Sequence, residues 1–97
     1  MAERITTEQV RAAEPGTMFG RWRRFNHVIG LIREVAGYRL QVWLRNERVC
    51  WSLLSETQDG PFTHDGGVTP DWEFAVYEAE ESARKLFREA LAELEGE

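Results

Sequence analysis

The chain predicts an α+β fold: a small antiparallel sheet of three to four strands packed against a C-terminal helix, with a short N-terminal helix. Three observations carry that expectation. Residues 38–54 alternate apolar and polar side chains in two runs separated by Asn46-Glu47, which is the period of a strand. Ala79, Ala83, Leu86, Phe87, Ala90, Leu91 and Leu94 form one helical stripe, with acidic residues mostly on the other side. Thr6 and Gln9 stand at the spacing of a capping box. At 97 residues, 42% hydrophobic and 11% aromatic, the chain is expected to form one domain spanning 1–97.

Taken in order, residues 1–16 read as a peripheral arm. Its helix starts near Thr6 and runs no further than about Glu14, because Pro15 and Gly16 stop it. Residues 18–36 carry two readings. Trp22, Phe25, Ile29, Ile32 and Ala36 recur at spacings of three and four, one face of a helix, which is the expectation preferred here. Gly30 in mid-segment and the β-branched Val28, Ile29, Ile32 and Val35 favour a strand instead, with Ala36-Gly37 as a hairpin turn.

The hairpin 38–45/48–54 follows. Folding the chain at Asn46-Glu47 sets Leu44 opposite Val49, Val42 opposite Trp51 and Leu40 opposite Leu53, so one face is wholly apolar. Residues 56–70 concentrate Gly, Pro, Asp and Thr and read as a long mobile loop. Trp72, Phe74 and Val76 alternate with polar or small neighbours, so a further strand is expected near 72–77. The competing reading is a helix that starts at Thr69 with Pro70 in its first turn. The last helix is expected over 79–95. A helix–strand–strand–strand–helix order is similar to that of double-stranded RNA-binding domains. Those domains place lysines where this chain has Glu78, Glu80 and Glu81, so the likeness stops at topology.

Charge is sorted along the chain. Residues 1–48 carry nine arginines against five glutamates, and residues 49–97 carry three basic residues against twelve acidic ones, so +4 and −9 give the net −5. That polarity bears on association rather than on fold, and it permits self-association into a homo-oligomer. Cys50 is the only cysteine, which excludes an internal disulfide and a cysteine zinc cage. No apolar run approaches the roughly 20 residues that span a bilayer, and the N-terminus lacks the apolar core of a secretory signal. A cytoplasmic protein with no membrane partner is the expectation.

Two surfaces are candidates for binding. The first is the outward face of the hairpin, Arg39, Gln41, Trp43, Arg45 and Arg48, with Arg21, Arg23 and Arg24 upstream. Guanidiniums around an indole suit a single-stranded nucleic acid or a phosphate-bearing ligand, where arginine supplies forked donors and tryptophan a stacking plane. The second is an acidic docking face of Glu73, Glu78, Glu80 and Glu81 for a basic partner. His27, Cys50, His64 and Asp65 lie at no diagnostic spacing, so no catalytic, cofactor-binding or metal-ligating residue and no cofactor is expected. The function expected is therefore that of a non-enzymatic interaction protein with a protein partner, the alternative being nucleic-acid binding.

Overall fold

The computed structural model describes residues 4–96. Residues 1–3 of the arm lie outside that range. Helix α1 (Thr7–Ala12) is followed by strands β1 (Met18–Phe19), β2 (Trp22–Arg24), β3 (Gly30–Val35), β4 (Tyr38–Arg45), β5 (Arg48–Thr57) and β6 (Gly60–Thr69), then by helix α2 (Trp72–Glu95). The six strands form one antiparallel meander in which every strand neighbours the next in sequence. The α+β class is as expected, with six strands where three to four were predicted.

Helix α1 begins as its capping box requires: Gln9 N donates to Thr6 Oγ1 at 3.2 Å, and Thr6 N donates to Gln9 Oε1 at 3.0 Å. Six residues do not hold a helix alone. The fully buried Val10 pins it to the core, and Trp72 Nε1 donates to Thr7 Oγ1 at 2.9 Å.

The helix expected over 18–36 is not formed. The spacing that suggested it is coincidental, since Trp22 faces the core while Ile32 faces the opposite side of the sheet. Gly30 explains why strand wins: a Cβ there would lie 2.4 Å from the Val42 carbonyl oxygen, so only glycine lets β3 approach β4 at Trp43. Ala36 (φ 52°) and Gly37 (φ 82°) then turn the chain in the left-handed region, as the strand reading required.

The central hairpin has the expected register, with Leu44 opposite Val49, Val42 opposite Trp51 and Leu40 opposite Leu53. Beyond it, the loop expected over 56–70 is largely the paired end of β5 and the whole of β6. Its loop-like composition reflects an edge position. Pro61 needs no ladder donor there, and Gly67 leaves space for the Trp51 ring, since a Cβ would lie 2.6 Å from Trp51 Nε1. The turn closes on Thr57, whose Oγ1 donates to Gly60 O at 2.6 Å and accepts from Asp59 N at 3.3 Å.

The strand expected near 72–77 is instead the start of α2. Asp71 caps it, with Phe74 N donating to Asp71 Oδ1 at 2.8 Å. That bond fixes a helical phase in which Trp72, Ala75, Ala79 and Ala83 face the sheet, while Phe74 and Tyr77 are exposed. Alanine at three successive contact turns lets the helix lie close on the sheet. Between them sits one core of Val10, Trp22, Leu31, Leu40, Val42, Val49, Trp51, Leu53 and the inward residues of α2. No described helix is long and apolar enough to cross a membrane.

Candidate binding face

Helix α2 covers one face of the sheet, and the other is bare. Side chains alternate across a strand, so the hairpin register decides which residues reach the bare face. Arg39, Gln41, Trp43 and Arg45 of β4 do, beside Arg48, Cys50, Ser52 and Leu54 of β5. Strand β3 adds Ile32 and Glu34, and β2 adds Arg23, the cross-strand partner of Ile32. Ile32, Cys50 and Ser52 are buried, Ile32 beside Pro15, Gly16, Phe25 and Asn26 of the neighbouring loops. Trp43, Gln41, Arg39 and Leu54 are half-buried, while Val28 and Val68 are exposed. The centre of the face is therefore densely packed, with Ile32 beside the polar Gln41 and Ser52.

Trp43 forms one wall of a cleft of about 250 Å³ whose other walls are Phe25, Val28, Gln41 and Val42. Arg45 and Arg48 stand directly opposite each other at the end of the hairpin. Like charges at opposed positions destabilise a ladder. Among the described residues neither guanidinium has a carboxylate in reach. Six residues along β4, about 20 Å away by strand geometry, lies the other end of the rim. There Arg23 binds Glu34 at 2.7 Å, and Arg39 is Glu34's cross-strand partner. The Arg23 hydrogen bond and charge, with a smaller contribution from Arg39, hold the Glu34 carboxyl below its usual range.

The structure thus brings Arg39, Gln41, Trp43, Arg45 and Arg48 together as expected and separates the upstream arginines. Arg23 joins the face but is bound to Glu34. Arg21 lies exposed in the β1–β2 turn. Arg24 points the other way: its Nε donates to Val10 O at 2.6 Å, and its Nη1 donates to the carbonyls of Phe25 and Val28. It ties α1 to the 25–28 loop and is not offered to a ligand.

The acidic docking face fares less well. Glu80 is turned inward, where its Oε2 accepts from Trp22 Nε1 at 2.9 Å and from Arg33 Nη1 at 2.6 Å. Glu81 pairs with Arg84 at 3.1 Å, and Glu73 with Arg4 at 3.8 Å. Glu78 alone of the four has no ion-pair partner among the described residues. The stretch is a stabilised helix surface with little charge left over.

His64 lies on the covered side, at the far end of the sheet. Its Nε2 is 2.8 Å from Ser55 Oγ, and the rings of Tyr38 and Phe62 pack on it edge-on. Asp65 serves other groups, accepting from Ser82 Oγ at 2.6 Å and from Gly66 N at 2.9 Å. Cys50 is buried on the opposite face, about 17 Å along β5 from Ser55, so it does not meet His64. Among the described residues no three His, Cys, Asp or Glu side chains converge as a metal site.

The cleft partners Phe25 and Val28 were not assigned to a face by the sequence pattern. A helical reading of 18–36 sends them elsewhere, and only the pairing of Gly30 with Trp43 brings them beside the indole. Comparison with protein families, with curated proteins and with solved structures finds no match for this chain.

Proposed function

We propose that the protein is a non-enzymatic interaction module whose bare sheet face docks an acidic protein segment. One observation carries this reading: an apolar cleft beside Trp43 shares its sheet face with Arg45 and Arg48, opposed like charges with no carboxylate in reach among the described residues. A partner carboxylate between those two guanidiniums relieves their repulsion and gains charge-assisted hydrogen bonds. An apolar anchor from the same segment fills the space between Phe25, Val28 and Trp43. Tryptophan and arginine around a desolvated centre is the anatomy of protein interfaces and of their hot spots. A nucleic-acid strand is favoured less. Trp43 is the one indole on the face, whereas stacking platforms carry several rings, and the chain's net charge of −5 opposes a polyanion at long range.

The test uses defined probes. A display library of Asp/Glu-rich peptides, each with one Leu or Phe, is selected against the folded protein, and binders are titrated by tryptophan fluorescence. Binding in the micromolar range is expected, weakened at least tenfold by Trp43→Ala and by Arg45→Glu/Arg48→Glu, with circular dichroism unchanged. Equal binding by the variants would overturn the assignment. So would a salt-steep response to a twelve-residue oligothymidylate that the peptides do not match, which would move the face to nucleic acid.

A further inference from the structure

A second cavity, of about 390 Å³, opens on the bare face at the end away from Arg45 and Arg48. Ile32, 5% exposed, is its floor, and its sides are the Pro15-Gly16 corner, Phe25-Asn26 and the arginines 23 and 39. Both loops that wall it are tied in place: Gly16 N donates to Arg24 O and Phe25 N to Gly30 O, each at 2.9 Å. The sheet register sets the two arginines on either side of the floor. Arg23 is the cross-strand partner of Ile32 on β2, and Gln41 is its partner on β4, two residues from Arg39. Two strand spacings, about 10 Å, separate β2 from β4, and two arginine side chains can converge across that gap. Arg24 also lines the cavity. Its donors are taken by the carbonyls of Val10, Phe25 and Val28, which leave its charge unbalanced. Arg39 makes no ion pair among the described residues. No carboxylate lines the cavity. Glu34 stands at its margin, bound to Arg23 at 2.7 Å and opposite Arg39. Glu14, before Pro15, and Glu56, diagonal to Arg39, neither line it nor pair with its arginines.

We infer that this cavity binds a phosphate monoester as its dianion, carried by a small metabolite or by a phosphorylated side chain. Charge selects the ligand. Three guanidiniums, Arg23, Arg24 and Arg39, against the one carboxylate of Glu34 leave two positive charges unmatched. A carboxylate or a phosphodiester supplies half of what is needed, whereas a phosphate monoester carries about −1.5 to −2 near pH 7. Its three acceptor oxygens suit the fork of Arg39, a bond shared by Arg23 with Glu34, and the side-chain amide of Asn26. The carbon skeleton of the ester rests on Ile32 and against Pro15 and Phe25, the apolar part of the lining. The lowered Glu34 carboxyl, due first to Arg23 and to a smaller extent to Arg39, records the same positive surroundings. Because the arginines of this site are not those of the hairpin end, it stands apart from the docking of an acidic segment at Arg45 and Arg48.

Titration of the folded protein at neutral pH with phenyl phosphate, followed by NMR, tests this, with the methyl diester of phenyl phosphate as the monoanionic control. The Arg39 side-chain N–H and the Asn26 amide signals should move and saturate with a Kd on the order of millimolar, as suits so small a ligand. The diester should bind at least tenfold more weakly. Arg39→Gln should weaken phenyl phosphate at least tenfold with circular dichroism unchanged. Glu34→Gln, which frees Arg23 and removes the competing charge, should tighten it severalfold. Trp43→Ala should leave it unmoved, which separates this cavity from the cleft beside the indole. A capped tripeptide carrying phosphoserine distinguishes the two sources: tighter binding than phenyl phosphate assigns the site to a phosphorylated side chain, and weaker binding to a small metabolite. Saturation by neither probe up to about 20 mM would overturn the inference. So would a diester that binds equally well, or variants at Arg39 and Glu34 that bind as the wild type does.

Discussion

Replacing Glu80 by alanine should reveal a buried strut in what the sequence presents as a solvated acidic helix. Glu80 Oε2 accepts from the Trp22 indole at 2.9 Å and from Arg33 at 2.6 Å, joining the middle of α2 to β2 and β3. Trp22 is only 3% exposed, so removing its acceptor strands a buried donor. Truncating one partner of a fully buried ion pair costs about 3–5 kcal/mol. Here the side chains of Arg33 and Glu80 are each 21% exposed, so water recovers part of that loss. The loss expected is about 2–3 kcal/mol, an estimate reduced for screening. For a domain of this size that lowers the melting temperature by roughly 8–24 °C. Glu81→Ala, which removes only a surface pair with Arg84, should cost less than about 0.5 kcal/mol. Urea unfolding followed by tryptophan fluorescence and far-ultraviolet dichroism measures both, and a double-mutant cycle with Arg33→Met isolates the pair. If Glu80→Ala costs no more than Glu81→Ala, the strut is not one, and the helix is held by apolar contact alone.

Three further outcomes follow from local geometry. Gly30→Ala should destabilise by about 1–3 kcal/mol in thermal unfolding, because the clash is with a backbone carbonyl of the adjacent strand; a change within 0.5 kcal/mol or so would mean that β3 can draw back. Glu47→Gly should stabilise by about 0.5–1 kcal/mol, since Glu47 holds φ 66° in the β4–β5 turn, where side chains are strained; a loss of stability would show that the glutamate has a compensating contact. The Glu34 carboxyl, depressed by Arg23, contributes stability that is present above its ordinary value of 4.5 and is lost as pH falls through the lower folded value. Arg23→Ala should therefore move the Glu34 titration, read by carboxyl carbon NMR, upward toward 4.5, and an unmoved titration would assign the depression to another group.

The central hairpin was legible because two independent constraints agree in it. The period of two sorts Leu40, Val42 and Leu44 from Arg39, Gln41, Trp43 and Arg45, and folding at Asn46-Glu47 aligns Val49, Trp51 and Leu53 with the apolar set. The core of the candidate face follows from that hairpin alone, so Trp43, Arg45 and Arg48 fall where the pattern places them. Residues 18–36 were misread because β1 and β2 have two and three residues, too few for alternation to outweigh an accidental spacing of Trp22, Phe25 and Ile29. Strand β6 was hidden by its edge position, where Pro61, Gly66 and Gly67 are tolerated and little side-chain burial leaves a trace. Glu80 looked like its acidic neighbours because its role depends on Trp22 and Arg33, whose orientation is set by the strands that were missed.

The meander carries a consequence for the order in which the chain can fold during synthesis. Each strand finds its mate in the segment made just before it, so pairing needs only short loops to close and can begin while translation continues. The lid over Leu40, Val42, Trp51 and Leu53 is α2, which is translated after all six strands. Until it emerges, the ribbon has greasy side chains facing water, and ribosome-bound chains halted before Trp72 should recruit chaperones or clump. Release of a chain carrying α2 should end that exposure in one step.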